Sequence, residues 1–178
     1  EWRYQRDRTP ARNFEQPRLD LRRAKAGDLT GKTLLVYTEQ GFGDALQFVR
    51  FLPLLKPFGA RVVLECQARL IPLFKDVDGI DEIVARNKPL LSFDLHSPLM
   101  SLAFALGTTL DSLPNAVPYL PVDDVLREKW GKHIDADETF KIGFCWQGHP
   151  GHELDYRRST TLSAFYDIAR DPRVTMVS

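Results

Sequence analysis

Short runs rich in β-branched and aromatic residues alternate with segments of helical apolar spacing along most of this chain, and that alternation limits the folds open to it. Residues 33–38 (TLLVYT) read as a buried strand, and the Gly-containing turn 39–43 follows directly. Ala45, Phe48, Val49, Leu52 and Leu55 then recur at helical spacing until Pro57 and Gly59 end the pattern. Residues 61–66 (RVVLEC) read as a second strand, 70–75 as a short helix, 82–85 (EIVA) as a third strand, 92–96 (SFDLH) as a fourth, and 99–106 as a helix over it. A parallel neighbour is reached only by a crossover, so this order predicts right-handed βαβ units and a mainly parallel sheet. The fold class expected is therefore α/β, a Rossmann-like sheet with helices on both faces.

Further along, the Pro-rich passage 114–121 predicts extended surface chain. Asp123 is placed to cap a helix running to His133, and 141–146 (KIGFCW) reads as a strand that ends in a polar loop, 147–159. Thr160 or Thr161 is placed to cap a helix through Ala169, and 174–177 begins a strand at which the sequence stops. That last strand, and an opening on Glu1 rather than Met, predict a piece of a longer protein. Before Lys32 the chain is rich in arginine, with Arg3, Arg6, Arg8, Arg12, Arg18, Arg22 and Arg23 among Trp2, Tyr4 and Phe14, and it lacks any sustained apolar period. Residues 1–30 are expected to be a basic linker or the end of a preceding helical repeat, and 31–178 one Rossmann-like domain.

Composition excludes more than it assigns. Basic and acidic residues balance at 24 each, so no net field draws the chain to nucleic acid or to an anionic membrane. No apolar stretch approaches the ~20 residues that span a bilayer, so stable membrane insertion is not expected. Cys66 and Cys145 lack the close spacing of a zinc site or redox dithiol and read as core residues, which fits a reducing cytoplasm.

In an open parallel sheet, ligands bind outside the carboxyl ends of the strands, so the loops after strands carry the candidates. The loop 39–44 holds Gln40, Gly41, Gly43 and Asp44. The two glycines have the start of a dinucleotide fingerprint, but Leu46 stands where its third glycine belongs, and Asp44 would repel a phosphate at the helix N-terminus. NAD binding is therefore not expected. Asp44 reads either as a first-turn acid that caps the helix or as a general base facing an acceptor hydroxyl. His96 reads either as a structural histidine or as an active-site residue at a strand end. The loop 147–159 gathers His149, His152, Asp155, Arg157, Arg158 and Ser159, but nothing there completes a recognisable metal motif, so no metal is expected. Its arginines suit a phosphate gripped through bidentate hydrogen bonds, and a solvated mobile loop is the competing reading.

The run TLLVYTEQGFGDALQFVRFLPLL resembles the opening of the heptosyltransferase-like glycosyltransferases, in which a strand leads into a Gly-Asp pair and a helix with a proline, here Gly43, Asp44 and Pro53. The stretches FDLHSPLMSLAFALGTTLDSLP and GFCWQGHPGHELDYRRSTTL resemble a bacterial subgroup that carries this unit after tetratricopeptide repeats, and EWRYQ resembles the last helix of such an array. The resemblance implies the N-terminal half of a two-domain GT-B enzyme, holding the acceptor while an absent C-terminal domain of the same parent chain holds most of the sugar nucleotide. It implies an inverting, metal-independent transfer, with a nucleotide-sugar donor as co-substrate, no other cofactor, and a glycan or protein as acceptor.

Asp44 and His96 are the catalytic candidates, and Gln40, Gly41, Gly43, His152, Arg158 and Ser159 the substrate-binding ones. Arg158 leads for the charge at the donor phosphate. The family tends to have a lysine near Arg158, and the His149-Pro150 loop also departs from it, so the heptose donor and acceptor are not carried over. The alternatives are an enzyme like protein O-linked N-acetylglucosamine transferase, which predicts a histidine base, and a non-catalytic glycan- or protein-binding domain. The fragment alone is expected to be inactive.

Overall fold

The computed structural model describes residues 12–135, 137–151 and 153–178. The repeat-like segment 1–5 and the candidate His152 lie outside the described residues. The chain divides into two compact units, 1–121 and 122–178.

Unit 1 is built on a four-stranded sheet. Strands β1 (Thr33–Tyr37), β2 (Arg61–Cys66), β3 (Glu82–Ala85) and β4 (Leu95–Pro98) lie in the order β3-β2-β1-β4, and every ladder is parallel. Fold class is thus α/β with a parallel sheet, as the alternation requires. Side chains of a strand alternate between faces. Leu34 and Val36 of β1, with Val62, Leu64 and Cys66 of β2, build the main core on one face.

On that face pack α1 (Phe42–Phe48), the 3-10 helix Val49–Phe58, α2 (Ile71–Phe74) and α3 (Leu102–Ala105), which contribute Ala45, Leu52, Leu55, Phe74 and Leu102. Helices on both faces were expected, and here the structure differs. The opposite face, Leu35, Tyr37 and Val63, is covered by Phe14, Val84, Leu90 and Phe93, none of which is helical.

Three boundaries moved for identifiable reasons. The helical pattern from Ala45 to Leu55 is α-helical only to Phe48, because Pro53 and Pro57 lack the N–H that an α-helix needs, and a 3-10 helix carries the chain on to Gly59. Strand β4 starts three residues later than the apolar pattern predicts. The Asp94 carboxylate accepts the Thr33 N–H (2.8 Å) and the Asp94 N–H donates to the Thr33 carbonyl (2.8 Å), so side-chain bonding occupies the start of that ladder. Pro98 closes β4 without a cost in pairing because β4 lies outermost among the four strands.

Residues 17–19 run beside that outer strand. His96 donates its N–H to the Pro17 carbonyl (3.1 Å) and accepts the Leu19 N–H (2.8 Å). Leu19 and Leu21 are buried in the main core, which ties this arginine-rich stretch into unit 1.

Unit 2 contains α4 (Asp124–Ile134), α5 (Tyr166–Ala169) and a two-stranded parallel sheet of β5 (Phe140–Gly143) and β6 (Val174–Val177). Asp123 caps α4 as its position predicts, accepting the N–H groups of Val125 (3.0 Å) and Leu126 (3.1 Å). β5 is shorter than the apolar run 141–146 because it is paired only as far as the four residues of β6 reach.

Gly79 is the tightest backbone site of unit 1. Its φ is +81°, and a Cβ there would lie 2.5 Å from the Leu52 carbonyl oxygen, which belongs to backbone and cannot swing away. Gly31 has a similar φ of +78° but open space around it. Gly79→Ala is expected to destabilise unit 1 by about 3 kcal/mol or more, and Gly31→Ala by only about 1 kcal/mol, in urea melts of the two variants.

Candidate functional site

The carboxyl edge of the unit 1 sheet is held by a chain of polar contacts. Thr38, just past β1, donates its N–H to the Glu65 carbonyl (2.9 Å) and its hydroxyl to Gln67 Oε1 (2.9 Å). Gln67 Nε2 in turn donates to the Gln40 carbonyl (2.9 Å). The Arg86 guanidinium, from beyond β3, donates to the Thr38 carbonyl and to its hydroxyl oxygen (3.2 Å). Three strand ends therefore fix the path of the 38–41 loop. Sequence patterning did not single out Gln67 or Arg86, because each is a lone polar residue after a strand and its partners lie 27 and 48 residues away.

That loop delivers Gly41 to the N-cap of α1. Gly41 has an extended backbone (φ −78°, ψ 178°) that any residue can adopt, so its left-handed freedom is not used here. Having no side chain, it gives the helix no cap of its own. The bond runs the other way: Asp44 Oδ2 accepts the Gly41 N–H (2.9 Å) and satisfies one of the orphan donors of the first turn. Among the described residues the second carboxylate oxygen makes no hydrogen bond. A Cβ on Gly43 would meet nothing within 4 Å, so the surface beside Asp44 is open to an approaching molecule. Gln40, Gly41, Gly43 and Asp44 are thus gathered at one strand end.

His96 lies elsewhere. It is the second residue of β4 and projects onto the non-helical face of the sheet, where it is 7% exposed. Its ring meets Phe14 edge-on (centroids 4.9 Å apart) and stacks on Tyr37 (6.0 Å). It shares a cleft of about 280 Å³ with Arg12, Phe14, Arg18, Tyr37 and Pro98, and none of Gln40, Gly41, Gly43 or Asp44 lines it. Its Nδ1 is buried and has no hydrogen-bond partner among the described residues. Burial first, then the positive charges of Arg18 and Arg12, push its pKa below the usual histidine value.

The same face holds a charge that the sequence displays as the one acid inside the apolar run RVVLEC. Glu65 is 2% exposed and forms an ion pair with Arg12. The Arg12 guanidinium lies 4.9 Å from the ring centroids of both Phe14 and Tyr37. A carboxylate buried this deeply needs such a counter-charge.

In unit 2 the described residues of the loop 147–159 make several polar contacts around Asp155. Ser159 donates its hydroxyl to Asp155 Oδ2 (2.8 Å) and accepts the Gly148 N–H (2.8 Å), and Arg158 Nε donates to Asp155 Oδ1 (3.2 Å). Thr160 closes the loop by donating its N–H to the Trp146 carbonyl (2.8 Å). A Cβ on Gly148 would fall 2.4 Å from Asp155 Oδ1 and 2.7 Å from Arg158 Nε, so a side chain there would have to push these two side chains aside. Arg158 keeps about half of its side chain in solvent. Among the described residues, no group of three or more His, Cys, Asp or Glu side chains is arranged to hold a metal ion. No helix among them is long and apolar enough to cross a membrane.

No family model matches the chain, and no solved structure matches it. It is similar to Protein FlbA of Caulobacter vibrioides, with 26% identity over 174 residues that take in 85% of this chain and 28% of FlbA. The chain thus spans under a third of the length of the curated relative it matches.

His96 gives this region a pH dependence of defined sign. With its folded pKa depressed, the folded form binds fewer protons than the unfolded form near and below pH ~6.5, so stability is complete above that value and falls as pH drops through the folded pKa. Hydrogen exchange at the Leu19 amide, which bonds to the His96 carbonyl, is expected to accelerate between about pH 7 and about pH 5 once the intrinsic rate is corrected for. His96→Leu is expected to flatten that dependence, and an unchanged slope would remove His96 as its source.

Proposed function

We propose that this chain is the acceptor-side part of an inverting, metal-independent glycosyltransferase that uses a nucleotide-activated sugar and works in the cytoplasm as part of a longer protein. The observation that carries the reading is the Asp44 carboxylate. One oxygen is pinned by the Gly41 N–H, the other is unengaged among the described residues, and the surface over Gly43 lies open beside it at the carboxyl end of β1. In the proposed reaction Asp44 takes the proton from an acceptor hydroxyl as that oxygen bonds to the anomeric carbon. The carbon–oxygen bond to the nucleotide diphosphate breaks from the opposite side, and the diphosphate leaves with the electron pair. A carboxylate pre-aimed by a backbone N–H loses little freedom when it acts as base.

Arg158 and Ser159 are assigned to the donor phosphates, where a guanidinium offset by Asp155 can turn its free edge toward an anion. Their resemblance-based role and the hydrogen bonds that hold them beside Asp155 support that assignment. A histidine base, as the enzyme like protein O-linked N-acetylglucosamine transferase would need, fits less well. The lowered pKa of His96 favours the neutral form a base requires, but its ring is packed against Phe14 in a cleft that Asp44 does not line.

A second reading has its own support. The Asp44–Gly41 bond is a sufficient structural reason for an acid at that position, so a glycan- or protein-binding domain without chemistry would look the same there.

The test is sugar-nucleotide turnover by the full-length protein over uridine, adenosine and guanosine diphosphate sugars, with Asp44→Asn alongside. Asparagine still offers an oxygen to the Gly41 N–H, so the helix cap survives while the base is lost. Turnover is expected to fall about 100-fold or more, with donor binding retained. Equal turnover in the variant, together with loss in His96→Gln, would favour the histidine-base enzyme. No turnover of any donor, with a lysate of acceptors supplied, would favour the binding domain.

A further inference from the structure

The connections of the unit 1 sheet part at one point. From β1 the chain moves outward through β2 to β3, then returns to lay β4 on the other side of β1. The connections to β2 and β3 cover the face of Leu34 and Val36, whereas the 86–94 connection to β4 covers the opposite face with Leu90 and Phe93. Connections that leave neighbouring strands in opposite directions open a crevice at their carboxyl ends, and open α/β sheets bind ligands there.

The cleft around His96 lies at this point. Tyr37 and Pro98, the last residues of β1 and β4, are register partners, and both line it. Its volume of about 280 Å³ puts it at the small end of ligand pockets, which run to roughly 300–1,000 Å³.

The charge that lines the cleft has one sign. Arg12 and Arg18 line it, and among the described residues no acid does. Arg12 donates from Nη1 to Glu65 behind the cleft and keeps 38% of its side chain in solvent. A guanidinium carries five N–H donors in a planar fork, so Arg12 can keep Glu65 on one edge and take an oxyanion on another. Arg18 is held by Ser101, to which its Nη2 donates (2.6 Å). His96 senses the same field: burial first, then the positive charges of Arg18 and Arg12, lower its pKa. The remaining walls, Phe14, Tyr37 and Pro98, are apolar or aromatic.

We infer that this cleft binds a small organic anion, whose phosphate or carboxylate group is held by Arg12 and Arg18 while its body lies against Phe14, Tyr37 and Pro98. A cation would meet two like charges, and a bare inorganic ion would leave the apolar walls to water. Asp44 does not line the cleft, so the inference holds whether or not Asp44 acts as a base.

The experiment is hydrogen exchange by mass spectrometry on the full-length protein, followed in the segments 12–21 and 94–101 that flank the cleft. The probes are glucose 6-phosphate and glucuronate at about 10 mM, with glucose and sodium chloride at matched ionic strength beside them. A ligand slows exchange by a factor of about one plus its concentration over Kd, so a millimolar site is expected to slow these segments about fivefold. The anion that acts names the group recognised. No slowing by either anion would overturn the inference, and so would equal slowing by glucose or by the salt.

Arg18→Gln is expected to raise the anion concentration needed by about tenfold or more, and Arg18→Lys, which keeps the charge, to restore part of the response. A response in Arg18→Gln equal to that of the unaltered protein would place the anion elsewhere and equally overturn it. The comparison of probes on the unaltered protein needs neither variant to fold. No readout uses turnover, so failure of the proposed activity leaves the inference standing.

Discussion

Strand β1 pairs with β2 on one side and β4 on the other, and both ladders are parallel, so the chain must cross over the sheet to reach each neighbour. The crossovers to β2 and β3 travel over one face and leave helices there, against Leu34, Val36, Val62 and Leu64. The other face of the same strands carries Leu35, Tyr37 and Val63, which are as thoroughly buried and need cover just as much. That cover comes from Phe14 and from the segment before β4. The described part of the arginine-rich stretch, from Arg12 on, is therefore structural: Arg12 pairs with Glu65, and Arg18 is bonded to Ser101 (2.6 Å).

Much of unit 1 was legible in the sequence because its strands are short, apolar and bounded by turn residues. RVVLEC and EIVA match β2 and β3 residue for residue, and TLLVYT overruns β1 by one residue, Thr38. Asp123 was legible as a cap because N-cap chemistry is local. What escaped was non-local. Leu19 and Leu21 are separated by Asp20 and surrounded by arginines, so no window of sequence shows that they reach a core completed about 80 residues later. The division of the chain into two units also has little local signal, because an apolar run such as KIGFCW looks the same whichever sheet it joins.

The candidate site divides along the same line. The Gly41, Gly43 and Asp44 arrangement is contained in four consecutive residues, and its geometry follows from a helix starting there. The clamp that aims it, Thr38, Gln67 and Arg86, depends on three strand ends coming side by side. His96 was placed at the correct strand but assigned to the wrong part of it. A strand-end position suggests the carboxyl edge, whereas the shift of β4 toward Pro98 leaves His96 near its beginning and on the face beneath Phe14. Sequence adjacency carries the chemistry of a cap or a turn, and register decides whether two candidates share a cleft.

The ion pair between Arg12 and Glu65 sets where this protein can be cut. An apparent boundary near residue 31 invites trimming, since strand β1 begins at Thr33 and the residues before it look like linker. A chain begun there would keep Glu65 buried near the carboxyl end of β2 without the Arg12 guanidinium that pairs with it. Removing one partner of a buried pair costs about 3–5 kcal/mol, less here because Arg12 keeps 38% of its side chain in solvent, and the loss of Leu19 and Leu21 adds to it. A version of unit 1 that keeps its core is therefore longer than its secondary structure and includes Arg12, Leu19 and Leu21.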